Sequence, residues 1–90
     1  MGTMLVTIKM MPSSPEADIE KIKEGVTKLL ESNEAQNPKF ETQDVAFGLK
    51  ALVISFGWPE EKEFEEFENK LREVENVGSS ETIDLRRAVG

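Results

Sequence analysis

The 90-residue chain contains no cysteine and no histidine. Without cysteine there is no disulfide, no thiolate metal ligand and no thiol nucleophile, and a reducing compartment is the default expectation. Without histidine, most zinc sites, the usual general base near neutral pH and the Ser-His and Cys-His pairs of acyl transfer are gone as well. Positive charge is in short supply: 11 Lys and Arg stand against 18 Asp and Glu, a net charge of -7. A phosphate backbone binds through Lys and Arg that displace its counterions, so nucleic acid is not an expected partner. Long apolar runs are missing too. No segment reaches the length of a bilayer span, and the first eleven residues alternate rather than forming the continuous apolar stretch of a secretory signal. A soluble, cytoplasmic protein is the expectation.

What remains is one domain, residues 1–90. A chain this short buries only about 60% of its unfolded surface, so its apolar residues must be placed economically. Val6, Ile8 and Met10 alternate with Thr7 and Lys9, which predicts a strand over 3–11 with one buried face. Met11-Pro12-Ser13-Ser14-Pro15-Glu16 then stops the strand and starts a helix, capped by Ser14 with Pro15 first, or by a Ser13/Glu16 box. Ile19, Ile22, Val26, Leu29 and Leu30 give that helix, 15–32, a single apolar stripe. Asn33, Asn37 and Pro38 mark a polar loop before a strand over 39–46.

A third strand over 49–56 is rich in apolar residues and reads as central, with Gly57 ending it. A second helix over 59–75 has Phe64, Phe67, Leu71 and Val74 on its stripe, with Glu66/Lys70 and Glu68/Arg72 as favourable pairs. Val77-Gly78-Ser79-Ser80 reads as a turn, and a last strand over 81–87 places Ile83 and Leu85 inward, Asp84 and Arg86 outward. The order β-α-β-β-α-β with two one-sided helices predicts an α+β, ferredoxin-like antiparallel sheet covered on one face. Its other face is then open to a partner.

Three places stand out as candidate sites. The first is the hairpin between the middle strands, where Phe47 sits beside Gly48, a residue that tolerates positive φ, and just before Lys50. Connections are usually polar, so an aromatic there is either packed on its own hairpin or in contact with a partner. The second is Arg86-Arg87, the only adjacent arginine pair in an acidic chain, which reads equally as an anion contact or as a guard on an exposed strand. The third is the run Glu60, Glu61, Glu63, Glu65, Glu66 and Glu68, whose place around a helix start favours a solvated face over a metal or acid/base site. Trp58, before Pro59, reads as a cover over the second helix start.

The blocks Ile8 through Ile19, Val45-Ala46-Phe47-Gly48-Leu49-Lys50-Ala51-Leu52, and Val77 through Arg87 together resemble the archaeal elongation factor 1-beta family. These are the guanine-nucleotide exchange factors of translation elongation factor 1-alpha, and the same module forms the catalytic domain of the eukaryotic factor. The resemblance spans nearly the whole chain and implies a ferredoxin-like fold, no covalent chemistry, no cofactor, and elongation factor 1-alpha as partner of a monomer. It also implies that Phe47, with Gly48 and Lys50 around it, meets the G domain of that partner. The eukaryotic module directs a lysine, next to its last residue, toward the magnesium site. Here that position falls near Gly90, so the role does not transfer as such, and Arg86 and Arg87 are the nearest cations. Residues 56–63 also depart from the archaeal pattern, which is more acidic and glycine-rich there and has no Trp-Pro. A ferredoxin-like regulatory or small-ligand binding module that self-associates through its open sheet face shares the topology and is the alternative. An acylphosphatase-type enzyme would need a phosphate-cradling loop with an arginine near the first strand's end, and an RNA-recognition module would need paired strand aromatics; this chain has neither.

Overall fold

Alternation of Val6, Ile8 and Met10 with more polar neighbours builds β1 (Thr3–Pro12) at the middle of a four-stranded sheet. The computed structural model describes residues 2–14, 16–45 and 48–87. After β1 come α1 (Ile19–Ser32), β2 (Gln36–Asp44), β3 (Lys50–Pro59), α2 (Glu65–Arg72) and β4 (Val77–Arg87). The strand order is β2-β3-β1-β4 and every neighbouring pair is antiparallel. This is the ferredoxin-like α+β arrangement, with β3 central as its apolar content requires.

The core lies between the sheet and the helices. Val6, Ile8 and Met10 face across to Phe56, Ile54 and Leu52 on β3, and all six are buried. Over them lie Ile22, Val26 and Leu30 of α1 and Phe67 and Leu71 of α2, the stripes that put one apolar side chain inward on each turn. Phe56, Trp58, Phe64 and Phe67 form an aromatic cluster whose tightest pair, Trp58 and Phe67, has ring centroids 4.7 Å apart. At Gly25 α1 meets the segment just after α2: a Cβ there would lie 2.8 Å from Val74 Cγ1, so the approach requires glycine.

Element ends differ from the sequence reading for local reasons. The first helix begins at Ile19, not 15, because the Asp18 carboxylate caps it by accepting from the Glu20 amide at 2.9 Å. Neither Ser13 nor Ser14 is the cap: the Ser13 amide donates to the Asn76 carbonyl at 2.8 Å, and the Ser14 carbonyl accepts from Ala17 in a turn. The second strand begins at Gln36, three residues early. A register shift between Gln36 and Lys39, with Asn37 at φ 47°, accommodates Pro38 on an edge strand where its missing N–H costs little.

The third strand does not stop at Gly57. It continues through Trp58 and Pro59 because Leu5, Met4 and Thr3 pair with them in turn. That extension consumes the expected start of the second helix, which runs only over Glu65–Arg72, the preceding residues turning through a bond from the Lys62 amide to the Pro59 carbonyl. Val77-Gly78-Ser79-Ser80 is strand rather than turn, since Ser79 and Ser80 pair with Met11 and Met10. The expected Glu68/Arg72 pair on α2 is otherwise engaged: Glu68 accepts from the Thr82 hydroxyl at 2.6 Å, and Arg72 donates to Asn69 at 3.1 Å. Leu85 takes the helix side opposite Val6, as expected, yet stays 48% exposed on the edge strand, and Ile83, at the register shift between the partners of Thr7 and Ile8, is 50% exposed. Among the described residues no helix is long and apolar enough to cross a membrane.

Candidate partner-binding surface

The hairpin joining β2 to β3 closes with Asp44 opposite Lys50 and the Val45 amide donating to the Leu49 carbonyl at 2.8 Å. Gly48 has φ 75°, the left-handed conformation expected of it, and is exposed with open space where a Cβ would be. Lys50 is also exposed and borders a small cleft of about 180 Å³ together with Gly48, Pro12, Ala17 and Ile19, where the hairpin meets the entry to α1. Phe47 lies outside the described residues.

Arg86 and Arg87 are at the other end of the sheet. Arg86 sits opposite Leu5 and Arg87 opposite Met4, whereas the hairpin end is level with Met10 and beyond. Met4 also pairs with Trp58, eight residues along β3 from Lys50, a separation of roughly 27 Å at the usual strand rise. The fold therefore brings Gly48 and Lys50 together and keeps them apart from the arginines. Strand alternation also divides the arginines themselves. Arg86 lies on the open face, where its Nε is 3.0 Å from Asp84 Oδ2; Arg87 lies on the helix side, bonded through Nε to Glu60 Oε1. Their side chains stay 69% and 79% exposed, so both remain within reach of a partner.

The open face is polar. Thr7, Lys9 and Ser55 lie along it, Thr7 Oγ1 and Ser55 Oγ being 3.4 Å apart, and the neighbouring side chains leave Val53 7% exposed. A shallow groove of about 460 Å³ near Leu5, Lys39 and Gly57 is lined by no carboxylate, its polar groups including the Lys39 amine and the Ser55 and Thr3 hydroxyls. The acidic run at the start of α2 is a solvated face, with Glu68 tied to Thr82 and Glu60 to Arg87. Among the described residues no three carboxylates gather as a metal site, and no polar or charged residue is buried. Trp58 is a core residue at 1% exposure, covering the helix start through Phe64 at 5.5 Å between ring centroids. The exposure of Leu5, Ile83 and Leu85 was not readable from the sequence, because alternation reports which side a residue takes, not whether anything covers it.

Comparison with known proteins bears on this surface. Residues 5–87 match the family model of the EF-1 guanine nucleotide exchange domain. The chain is 37% identical over 89 residues to elongation factor 1-beta of Methanocaldococcus jannaschii, covering 98% of this chain and 100% of that protein. It is 35% identical to elongation factor 1-beta of Methanobrevibacter smithii over 97% of this chain and 98% of the relative. The protein of that name in Nanoarchaeum equitans is 33% identical, over 90% of this chain and the whole of the relative. The match runs from Leu5 in the first strand to Arg87 in the last, so both ends of the sheet fall within it, and the chain belongs to the EF-1 guanine nucleotide exchange domain family.

Proposed function

We infer that this chain promotes GDP/GTP exchange on elongation factor 1-alpha during translation elongation, and that it does so by binding alone. The observation that carries this reading is the family match across residues 5–87, from the first strand through the last. Energy then comes from differential affinity: a factor that favours the nucleotide-free state of its partner is itself held less tightly, by the same ratio, once nucleotide returns. Abundant GTP therefore releases it.

Two contact regions serve that role. The hairpin end, with Phe47, Gly48 and Lys50, anchors the factor, and the strand end, with Arg86 and Arg87, lies beside the nucleotide site. Because roughly 27 Å of sheet separates them, by the strand rise, one small patch on the partner does not accommodate both. The factor lies lengthwise against elongation factor 1-alpha. The exposed Arg86 and Arg87 on the β4 edge disfavour edge-to-edge pairing between copies, which supports action as a monomer over the regulatory-module alternative.

The test is release of a fluorescent GDP analogue from purified elongation factor 1-alpha of the same organism under excess unlabelled nucleotide. Substoichiometric amounts of the chain should accelerate release. No acceleration from a folded chain and an active partner would remove the exchange reading and leave the fold.

A further inference from the structure

Glu60 ties one end of three strands together. It follows Pro59, which pairs with Thr3, and its amide donates to the Gly2 carbonyl at 3.0 Å, while its carboxylate accepts from Arg87 Nε at the end of β4. Because β1 lies between β3 and β4, the Glu60 side chain reaches Arg87 by crossing Gly2. A Cβ on residue 2 would stand 2.5 Å from Glu60 Oε2, so the crossing is open only because that residue is glycine.

The fourth strand is held unevenly along its length. At its start Gly78 is packed so closely that a Cβ would lie 2.9 Å from the Pro12 carbonyl oxygen, and farther on the Thr82 hydroxyl bonds to Glu68 of α2. Thr82 and Asp84 pair with the adjacent residues Ile8 and Thr7, which leaves Ile83 as the extra residue of a bulge that interrupts the ladder. Beyond the bulge the hold is weak. Leu85 stays 48% exposed and outside the core cluster, and Arg86 is paired with Asp84 of its own strand. Among the described residues, the Arg87–Glu60 bond is the one side-chain bond that joins this segment to another strand.

Local openings follow such boundaries, where a segment that buries little meets one that is anchored. We propose that residues 84–87 form a strap that opens from β1 as a unit about the bulge at Ile83, with Glu60–Arg87 as its latch and Gly2 as the gap through which the latch closes. Opening turns residues 4–7 of β1 into a free sheet edge and releases the Arg87 guanidinium.

Native-state amide hydrogen exchange on the full chain tests this. Amides in the ladder between β1 and residues 84–87 should be protected about tenfold less than those between β1 and residues 79–82. Glu60→Gln removes the charge of the latch, and Gly2→Ala displaces its carboxylate without altering any charge. An exposed ion pair changes an opening equilibrium by at most about fivefold, so each variant should lower strap protection by about threefold and leave Val26 and Ile54 unchanged. In the unaltered chain, raising sodium chloride from about 0.05 M to about 0.5 M should lower the protection of 84–87 relative to 79–82, because salt screens the pair. Equal protection on the two sides of Ile83 overturns the proposal. So does unchanged strap protection in either folded variant, or a loss spread evenly over the whole sheet.

Discussion

The indole N–H of Trp58 donates to the backbone carbonyl of Lys62 at 3.0 Å, while the Lys62 ammonium lies 5.3 Å from the centre of the same indole. That ammonium also bonds to the carbonyl of Asn33, the residue that ends α1. One short loop thereby satisfies the buried indole and fastens the end of the first helix to the start of the second. Trp58→Phe leaves the Lys62 carbonyl without its donor and opens space in the core, so it should cost about 2 kcal/mol. Lys62→Met removes a charge-assisted bond and a cation–π contact at a half-buried site and should cost about 1 kcal/mol. Urea unfolding should show both as lower midpoints at unchanged slope.

Gly25 and Val74 set the spacing between α1 and the segment that follows α2. An exposed helical glycine replaced by alanine gains about 1 kcal/mol from propensity alone, but here the added Cβ would stand 2.8 Å from a stiff β-branched side chain. Overpacking should win, and Gly25→Ala should be destabilising by about 1 kcal/mol. Gly25→Ala combined with Val74→Ala should be more stable than the sum of the single changes indicates, since the second removes the atom that the first displaces. Strict additivity in equilibrium unfolding would show that the helices adjust freely at this point.

The element order was legible in the sequence because each element carries its own period: alternation in Val6, Ile8 and Met10, and three- and four-residue spacing in Ile22, Val26 and Leu30. Element ends were less so. Gly57, Trp58 and Pro59 look like a strand end, and Gly78-Ser79-Ser80 like a turn, but pairing with Thr3–Leu5 and with Met10 and Met11 makes both into strand. Local chemistry does not contain such distant partners. For the same reason Leu85 and Val6 carry the same strand signal, and only strand order distinguishes the edge from the centre. At the candidate site, the left-handed Gly48 was readable from its turn. The distance between the hairpin and Arg86-Arg87 was not, because it depends on the strand order that puts β4 beside β1 and on the register between them.

At the hairpin, Gly48 separates backbone effects from contact effects. A Cβ there meets nothing within 4 Å, so Gly48→Ala introduces only the cost of a left-handed conformation, about 1 kcal/mol. That cost should lower the melting temperature by roughly 4–8 °C, while catalysed GDP release should slow as the hairpin loses its preferred shape. Phe47→Ala should slow release more strongly with a smaller effect on melting. Equal rates for Phe47→Ala and the parent chain would remove the hairpin from the docking surface.

Arg86 and Arg87 allow two roles with different observable consequences. Both side chains are largely exposed and both are paired within the chain, and exposed ion pairs contribute between zero and about 1 kcal/mol. Arg86→Ala and Arg87→Ala should therefore leave stability nearly unchanged. If the arginines act only as guards on the β4 edge, the double variant should scatter light at high concentration while catalysing exchange normally, because a row of charges is what discourages edge-to-edge pairing. If they reach the partner's anionic groups, the double variant should stay monomeric at assay concentrations and lose exchange by several-fold. Glu60→Gln sharpens the distinction. It frees the Arg87 guanidinium from its internal partner without removing the charge, so under the contact role exchange should be retained or enhanced, whereas loss of exchange would show that Glu60 is needed to hold Arg87 in place.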